Sequence, residues 1–238
     1  MVPLRTFFRW LARENHILYN PASELQLPRP EKRLPKDILT QEEAEAVLSR
    51  PDLKTMVGVR DRAILELLYA TAIRRLELTS LKVWDVDYAR GALAVRQGKG
   101  NKDRIVPIGE RAQAWLMKYR DEARANFICG RDEAHLFLTV QGRPIDPKRL
   151  SERVRSYIKA SGVPKTGSCH LFRHTAATLM LENGADIRFI QALLGHESLE
   201  TTQLYTQVSV AKLKEIHTAT HPGARLQKRV REDLEQET

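Results

Sequence analysis

The sequence predicts an α+β protein that is mainly α-helical and carries one small antiparallel β-sheet. Over most of its length, apolar residues recur at the helical period, and capping or stopping residues bound these segments. One stretch, residues 83–108, is instead rich in β-branched residues and contains two turn signals. With no internal repeat, the chain is expected to fold around a helical core with one inserted sheet.

The first predicted helix is amphipathic. Leu4, Phe7, Phe8 and Leu11 follow the spacing i, i+3, i+4, i+7. The stretch 27–35 that follows contains three prolines and suits an extended linker. Because one helix cannot bury its own apolar stripe, it is either the last helix of an N-terminal domain or a helix folded back onto the main domain.

The main body is predicted to begin with a capping box, Thr40 and Glu43, that opens a helix through Leu48. A longer helix is expected from about Val57 to Ala70, and a short one from Arg74 to Leu81. The strands of the sheet are predicted at 83–88, 92–96 and 104–108, with a glycine-flanked turn between the last two.

The remainder reads as helices with identifiable ends. Asp146-Pro147 supplies an N-cap and a proline in the first turn, and Gly195 supplies a stop. The predicted helices are 110–124, 147–160, 170–182, 186–194, 201–205 and 209–218.

Composition limits the function classes. The 238 residues suffice for one large or two small domains. Against 30 acidic residues stand 39 lysines and arginines, and a net charge of +9 favours a polyanionic partner, nucleic acid before a membrane surface. Two cysteines, Cys129 and Cys169, are too few for a disulfide framework and suit a reducing cytoplasm. The first ten residues lack the apolar stretch and cleavage site expected of a signal peptide, and no apolar run approaches the roughly 18 residues of a membrane span.

The sharpest candidate site is His170 with Arg173. At i, i+3 in the first turn of a helix, both side chains can meet one ligand, and the helix start favours an anion. His170 and His174 could also be read as a metal-binding pair. However, Leu171 stands where a zinc hydrolase would carry its glutamate, and no third ligand is obvious, so no metal site is predicted.

Two further candidates are basic. Arg74 lies at a break between two helices, with Glu77 placed at i+3 to hold its guanidinium. A surface ion pair is the simpler interpretation. Lys99, Lys102 and Arg104 lie on or beside the glycine-flanked turn, where a basic tip is either solvated or a contact for DNA.

The last candidates are His196 and Tyr205. Gly195 ends the preceding helix, so the chain can fold Tyr205 back towards His196. Taken alone, Tyr205 is better explained by a ring in the core with its hydroxyl in water. Together, however, arginines, a lysine, histidines and a tyrosine fit one task, the transfer of a phosphoryl group without a metal ion.

In this order and spacing, the motifs resemble those of the tyrosine recombinases, most closely the bacterial Xer-type recombinases and the phage integrases. The resemblance covers residues 40–220 as the catalytic domain. Residues 1–27 are similar to the last helix of the family's N-terminal core-binding domain, 28–39 form a linker, and 221–238 a charged tail. The bulk of the N-terminal domain is therefore expected to be missing. The motif residues are Arg74, Lys99, His170, Arg173, His196 and Tyr205.

The resemblance implies a role for each residue. Arg74 and Arg173 would bind the scissile phosphate, and His196 would hydrogen-bond it. Tyr205 would form a 3′-phosphotyrosine, with no metal or ATP. The remaining roles are proton transfer from Lys99 to the leaving oxygen, proton acceptance by His170, orientation of Arg74 by Glu77, and DNA contacts by Lys102 and Arg104.

One departure lies beside Arg74, where Ala72-Ile73 replaces the family's Gly-Leu and Arg75-Leu76 replaces an apolar residue and a small one. The expected partners are double-stranded DNA and further copies of the chain, as a tetramer on DNA in the cytoplasm at the nucleoid. Two alternatives stay open. One is a truncated family member that binds DNA without recombining it, and the other is a metal-dependent nuclease, for which no convincing carboxylate cluster is visible.

Overall fold

The computed structural model describes residues 2–23, 37–96, 103–195 and 210–224. The chain divides into two compact units, Met1–Lys36 and Asp37–Thr238. The predicted class is confirmed: in the described part of the chain, helices dominate, and one three-stranded antiparallel sheet has the order β1-β2-β3. Among the described residues, no helix has the length and apolar character that crossing a membrane requires.

The first unit contains helix α1, Val2–Arg13, as its apolar spacing predicts. Leu4, Phe7 and Trp10 are about half exposed, while Phe8 and Leu11 are less so. Phe7 lies against the rings of Phe8 and Trp10, at centroid distances of 5.7 and 6.4 Å. Trp10 therefore extends the predicted stripe. The assignment of this helix to an N-terminal domain stays a prediction.

Helix α3, Met56–Thr71, is the centre of the second unit. It is preceded by α2, Gln41–Leu48, which begins at the predicted capping box, and followed by α4, Arg75–Ser80. Every residue of α3 from Gly58 onwards is buried, because other helices pack against all its sides. The position of its C-terminal end therefore determines where the next residues, including Arg74, lie.

Charged residues inside this core are paired. The guanidinium of Arg111 donates to both oxygens of Glu45, at 2.6 and 2.9 Å, and to Oε1 of Glu66, at 2.7 and 2.9 Å. Arg62 donates to the same Glu66 oxygen at 2.9 Å and lies over the ring of Trp115. Because a buried charge without a partner is strongly unfavourable, this network fixes α2 and α3 against the helix that carries Arg111.

Helix α3 ends at Ala72, whose φ of 52° lies in the left-handed region. Its N–H donates to Leu68 O, and its methyl group is buried. The structure thus explains the glycine of the family's pattern, since glycine adopts this conformation without strain. In this chain an alanine adopts the left-handed conformation at this position.

We expect Ala72→Gly to change the free energy of unfolding little and Ala72→Val to lower it by about 2 kcal/mol or more. Glycine relieves about 1 kcal/mol of left-handed strain but loses about 0.8 kcal/mol of methyl burial. Valine adds branching to a strained, fully packed position. Urea unfolding of both variants measures this, and equal destabilisation by the two would contradict the strain argument.

The sheet is shorter than predicted. Residues Val83–Asp85 form a 3₁₀ turn, and β1 covers only Val86–Asp87. The predicted strand from Val83 is therefore wrong at its start, because Asp85 Oδ2 accepts from the N–H of Lys82 at 2.8 Å and closes a turn. Strands β2, Ala92–Val95, and β3, Arg104–Pro107, pair with Val95 opposite Arg104. The predicted turn at 98–101 lies outside the described residues.

The remaining helices are close to those predicted. The segment predicted as one helix, 110–124, begins as an α-helix and continues as a π-helix, Tyr119–Arg124. The short helix predicted at 201–205 lies outside the described residues. In chain order the others are α5 Glu110–Lys118, α6 Ala125–Phe127, α7 Pro147–Ala160, α8 Cys169–Glu182, α9 Ile187–Leu194 and α10 Val210–Thr220.

Two buried histidines, His217 on α10 and His221 directly after it, fix this segment to the end of α3. Nε2 of His217 donates to Ala70 O at 2.6 Å, and Nε2 of His221 donates to Tyr69 O at 2.7 Å. Their rings stack at 4.6 Å. Burial lowers the pKa of His217 to about 4, so the ring is neutral at physiological pH. The last turn of α3 is thus held from the side of α10, two residues before Ala72.

Candidate active site

The first element of the site is the start of α4. Arg74 is the N-cap residue, in extended conformation, and Glu77 follows one turn later. The carboxylate of Glu77 accepts from the Arg74 backbone N–H at 2.7 Å and from its Nη1 at 2.8 Å. The contact expected from the i, i+3 spacing is therefore present, and it fixes the guanidinium of Arg74 beside a buried carboxylate.

Arg104, at the start of β3, shares that carboxylate. Nη1 and Nη2 of Arg104 donate to the two oxygens of Glu77 at 2.9 and 2.8 Å, and Nε donates to Leu193 O at 3.1 Å. All three guanidinium nitrogens are thus hydrogen-bonded inside the protein. The sequence predicts a DNA contact here, but the structure places the charged group against Glu77.

Arg173 lies on α8 and is buried, with 7% of its surface exposed. Nη1 donates to Ala72 O at 2.6 Å, and Nη2 donates to Leu194 O at 2.7 Å. Burial, followed by the positive charges of Arg74 and Arg104, lowers the pKa of Arg173 to about 10, while Glu77 acts in the opposite direction. Arg173 therefore stays charged at neutral pH, although its surroundings disfavour the charge.

The three arginines meet at the C-terminal end of α9. Leu193 O accepts from Arg104 at 3.1 Å, Leu194 O from Arg173 at 2.7 Å, and Gly195 O from Arg74 at 2.9 Å. The last carbonyls of a helix have no partner within it and carry partial negative charge, so guanidinium groups are suited to them. Arg74, Arg104 and Arg173, called the arginine cluster below, thereby fix the point from which the chain continues to His196.

His170 is exposed and lies in the first turn of α8, three residues before Arg173. Ser168 is the N-cap residue, but its side chain makes no capping hydrogen bond. The N–H groups of an uncapped helix start favour an anion. One helix therefore supplies an imidazole, a guanidinium and a favourable potential for negative charge.

The structure brings together part of the predicted site. Arg74, Glu77, Arg104 and Arg173 form one hydrogen-bonded group around the end of α9, and His170 lies one helical turn from Arg173. Four predicted residues lie outside the described residues: Lys99, Lys102, His196 and Tyr205. Their roles stay predictions.

Two features of the site were not found from the sequence. The carbonyls of residues 193–195 carry no side-chain signature, so no pattern could identify them as partners of the arginine cluster. Arg75, half-buried, donates to Ser151 Oγ at 3.0 Å and so joins α4 to α7, while Leu76 is 62% exposed. The departure from the family's pattern at Arg75 thus coincides with a contact between helices.

No group of three or more histidine, cysteine or acidic side chains within the described ranges is arranged to hold a metal ion. Within the same ranges, Glu77 is the carboxylate that accepts hydrogen bonds from Arg74 and Arg104. Burial raises the pKa of Glu77, but hydrogen bonds and charge from Arg104, together with Arg74, outweigh it and lower the pKa to about 2. Glu77 is therefore ionised at all ordinary pH values.

We expect Glu77→Gln to lower the free energy of unfolding by about 3 kcal/mol at pH 7, because it removes the charge paired with two arginines. The native pKa lies below the unfolded value, so this stabilisation is complete above about pH 4.5 and disappears as pH falls towards 2. Urea unfolding from pH 7 to pH 3 should show the difference between wild type and variant shrinking. The exposed Glu152→Gln is the control, and a pH-independent difference would contradict the assignment.

The chain is similar in sequence to known proteins. Residues 37–212 match the sequence pattern described as the Phage integrase family. Tyrosine recombinase XerC 2 of Ralstonia nicotianae is 55% identical over 234 residues, which are 98% of this chain and 66% of that protein. Tyrosine recombinase XerD of Pseudomonas putida is 42% identical over 219 residues, 92% and 73% of the two chains. The chain thus spans just under two thirds of the length of the XerC relative.

Solved structures of recombinases are also similar to this chain. The XerA recombinase aligns with a TM-score of 0.61 and 32% identity, over 90% of this chain and 80% of that one. The XerH site-specific recombinase bound to its difH substrate aligns with a TM-score of 0.64 over 89% and 61%, and its 24% identity shows the fold alone. The chain therefore belongs to the phage integrase family, the tyrosine recombinases.

Proposed function

We propose that this chain cuts and rejoins double-stranded DNA at specific sites through a 3′-phosphotyrosine bond to Tyr205, without metal or ATP. The observation that carries the proposal is the charge of the arginine cluster. Its three cations surround one carboxylate, Glu77, which leaves a net charge of three minus one, or +2. Their mutual repulsion contributes to the lowered pKa of Arg173. A phosphate group of DNA is the ligand that relieves it.

The proposed reaction is a direct displacement at phosphorus. The phenol oxygen of Tyr205 forms a bond to the phosphorus atom as the bond to the 5′-oxygen breaks. His170 accepts the phenol proton, and Lys99 donates a proton to the departing 5′-oxygen, so charge and protons balance. The energy of the broken phosphodiester is retained in the phosphotyrosine, and the reverse displacement by another 5′-hydroxyl rejoins the strand.

The described residues support the electrostatic part of this scheme. The transition state gathers additional negative charge on the non-bridging oxygens, and fixed guanidinium groups stabilise it more than the ground state. Glu77 and Gly195 O hold the guanidinium of Arg74, and two backbone carbonyls hold that of Arg173. Both groups are therefore already oriented before DNA binds. The uncapped start of α8 adds a favourable potential on the side of His170.

The relatives support the choice of partner. XerH is described as bound to its difH substrate, and the XerC and XerD proteins are named tyrosine recombinases. The net charge of +9 agrees with a polyanion. We include in the proposal that the chain acts as a tetramer on DNA, in the cytoplasm at the nucleoid.

The test is incubation with nicked duplexes, in which cleavage releases a short 5′-hydroxyl fragment and traps the covalent intermediate. We expect a protein–DNA band that survives denaturing electrophoresis, forms equally in chelator, and disappears after protease treatment. Binding without any adduct would instead favour a protein that binds DNA but does not recombine it. An adduct that formed only with added metal would contradict the metal-free mechanism.

A further inference from the structure

Every nitrogen of the Arg104 guanidinium is hydrogen-bonded inside the protein. Its two Nη atoms donate to the two oxygens of Glu77, at 2.9 and 2.8 Å, and its Nε donates to Leu193 O at 3.1 Å. Its side chain is 13% exposed. A parallel fork onto a carboxylate is the strongest geometry for such a pair, and only arginine can add a third donor at Nε.

The partners of Arg104 lie on two different elements of the site. Glu77 belongs to α4 and also binds Nη1 and the backbone N–H of Arg74. Leu193 belongs to the last turn of α9, whose next carbonyls bind Arg173 and Arg74. Arg104 therefore joins the start of β3 to Arg74 through Glu77, and to Arg173 through neighbouring carbonyls in the last turn of α9.

The packing around Gly195 gives independent support. A side chain at this position would meet Cδ, Nε and Cζ of Arg104 at 3.1–3.2 Å, and its φ of 62° also suits glycine. The end of α9 thus lies directly on the stem and guanidinium of Arg104. A shift of Arg104 towards a DNA phosphate would break three hydrogen bonds and leave Glu77 with Arg74 alone.

We propose that Arg104 is a positioning residue, which orients Arg74 through Glu77 and fixes the end of α9 through Leu193, and that it does not contact DNA. This inference rests on the proposed function and assigns Arg104 a role different from the DNA contact that the sequence predicts. Without Arg104, the described contacts of the Glu77 carboxylate are reduced to those with Arg74, and Leu193 O loses the hydrogen bond that fixes the end of α9.

Two measurements separate positioning from DNA contact. The first is DNA affinity at several salt concentrations. Loss of one phosphate contact reduces the slope of log affinity against log salt by about 0.9. The second is the rate of adduct formation at saturating nicked DNA, which a displacement of about 1 Å can lower about 100-fold.

We expect Arg104→Gln to keep the salt slope of the wild type and to form adduct about 100-fold more slowly. Arg104→Lys should be as slow, because lysine keeps the charge but cannot form the fork and the third bond. Arg90→Gln is the matched control: it removes one exposed arginine from the β1–β2 turn, where its ion-pair partner among the described residues is Asp87, and it should keep the wild-type rate.

A double-mutant cycle decides whether Arg104 acts through Glu77. If it does, adding Arg104→Gln to Glu77→Gln should slow adduct formation little further, whereas independent effects multiply. The double variant removes both charges of the pair, so no buried carboxylate is left unpaired, and thermal unfolding checks that each variant is folded at the assay temperature.

The results distinguish the two proposals. An unchanged cleavage rate in Arg104→Gln, a salt slope lowered by about 0.9, or rescue by Arg104→Lys would each overturn the positioning role. If the wild type itself forms no adduct, the proposed function fails. The salt slope still decides whether Arg104 contacts DNA. The coupling between Arg104 and Glu77 is then measured by the same double-mutant cycle, using the free energy of unfolding in place of the cleavage rate.

Discussion

Replacing Arg173 by lysine is expected to lower the rate of covalent adduct formation by about 100- to 1,000-fold, the usual effect of losing one donor to a transition-state oxyanion. Arg173 donates from two separate nitrogens to Ala72 O and Leu194 O, which fixes the plane of the guanidinium. A lysine has one nitrogen on a flexible chain and cannot keep both bonds while also facing a phosphate.

The charge of the substituted residue gives a second reason. Burial and the charges of Arg74 and Arg104 lower the pKa of Arg173 to about 10. Lysine begins about two pKa units below arginine, so the same surroundings would bring its titration towards physiological pH. The reaction of Arg173→Lys, slow at neutral pH, should therefore become faster relative to the wild type as the pH is lowered and the amine gains its proton.

Single-turnover reactions with nicked DNA between pH 6 and pH 9 measure both effects. The control is Arg155→Lys, an exposed residue on α7, which should match the wild type throughout. A wild-type rate in Arg173→Lys would show that the proposed phosphate contact does not depend on a fixed guanidinium.

Replacing Tyr205 by phenylalanine is expected to abolish the adduct completely while leaving DNA affinity within about twofold of the wild type. The change removes one oxygen atom, which in the proposed mechanism is the nucleophile and has no substitute. Gel shift and denaturing electrophoresis on the same samples separate binding from cleavage.

Tyr19→Phe is the matched control, because that tyrosine is exposed in the first unit and should keep full activity. An adduct that persists in Tyr205→Phe would mean that another side chain attacks the phosphorus. Mapping the linked peptide would then identify that side chain.

The sequence predicts much of the fold because its signals are local. The capping box at Thr40, the stop at Gly195 and the apolar period of α3 each depend on neighbouring residues alone, and the structure confirms them. The predicted start of β1 is wrong because two local signals conflict there. Val83 has a strand-forming side chain, but the carboxylate of Asp85 closes a turn there, so a side-chain bond overrides the propensity.

The site is predicted less completely because its contacts join distant parts of the chain. Arg74 and Glu77 are three residues apart and could be paired from spacing alone. Arg104 and Glu77 are 27 residues apart, and Arg104 and Leu193 are 89 apart, so only the fold brings them together. Spacing identified basic residues near the site, but not which of them face inward.

The anchoring of Arg74 and Arg173 also has an entropic consequence. A free arginine side chain has about 2 kcal/mol of rotamer entropy to lose when a ligand immobilises it. In this protein, folding has already removed much of that freedom, since each guanidinium is held by two or more groups of the protein. Closing the site on a phosphate should therefore require little ordering of these two side chains. Variants that loosen either anchor should bind DNA with a more unfavourable entropy, visible by calorimetry even where the affinity changes little.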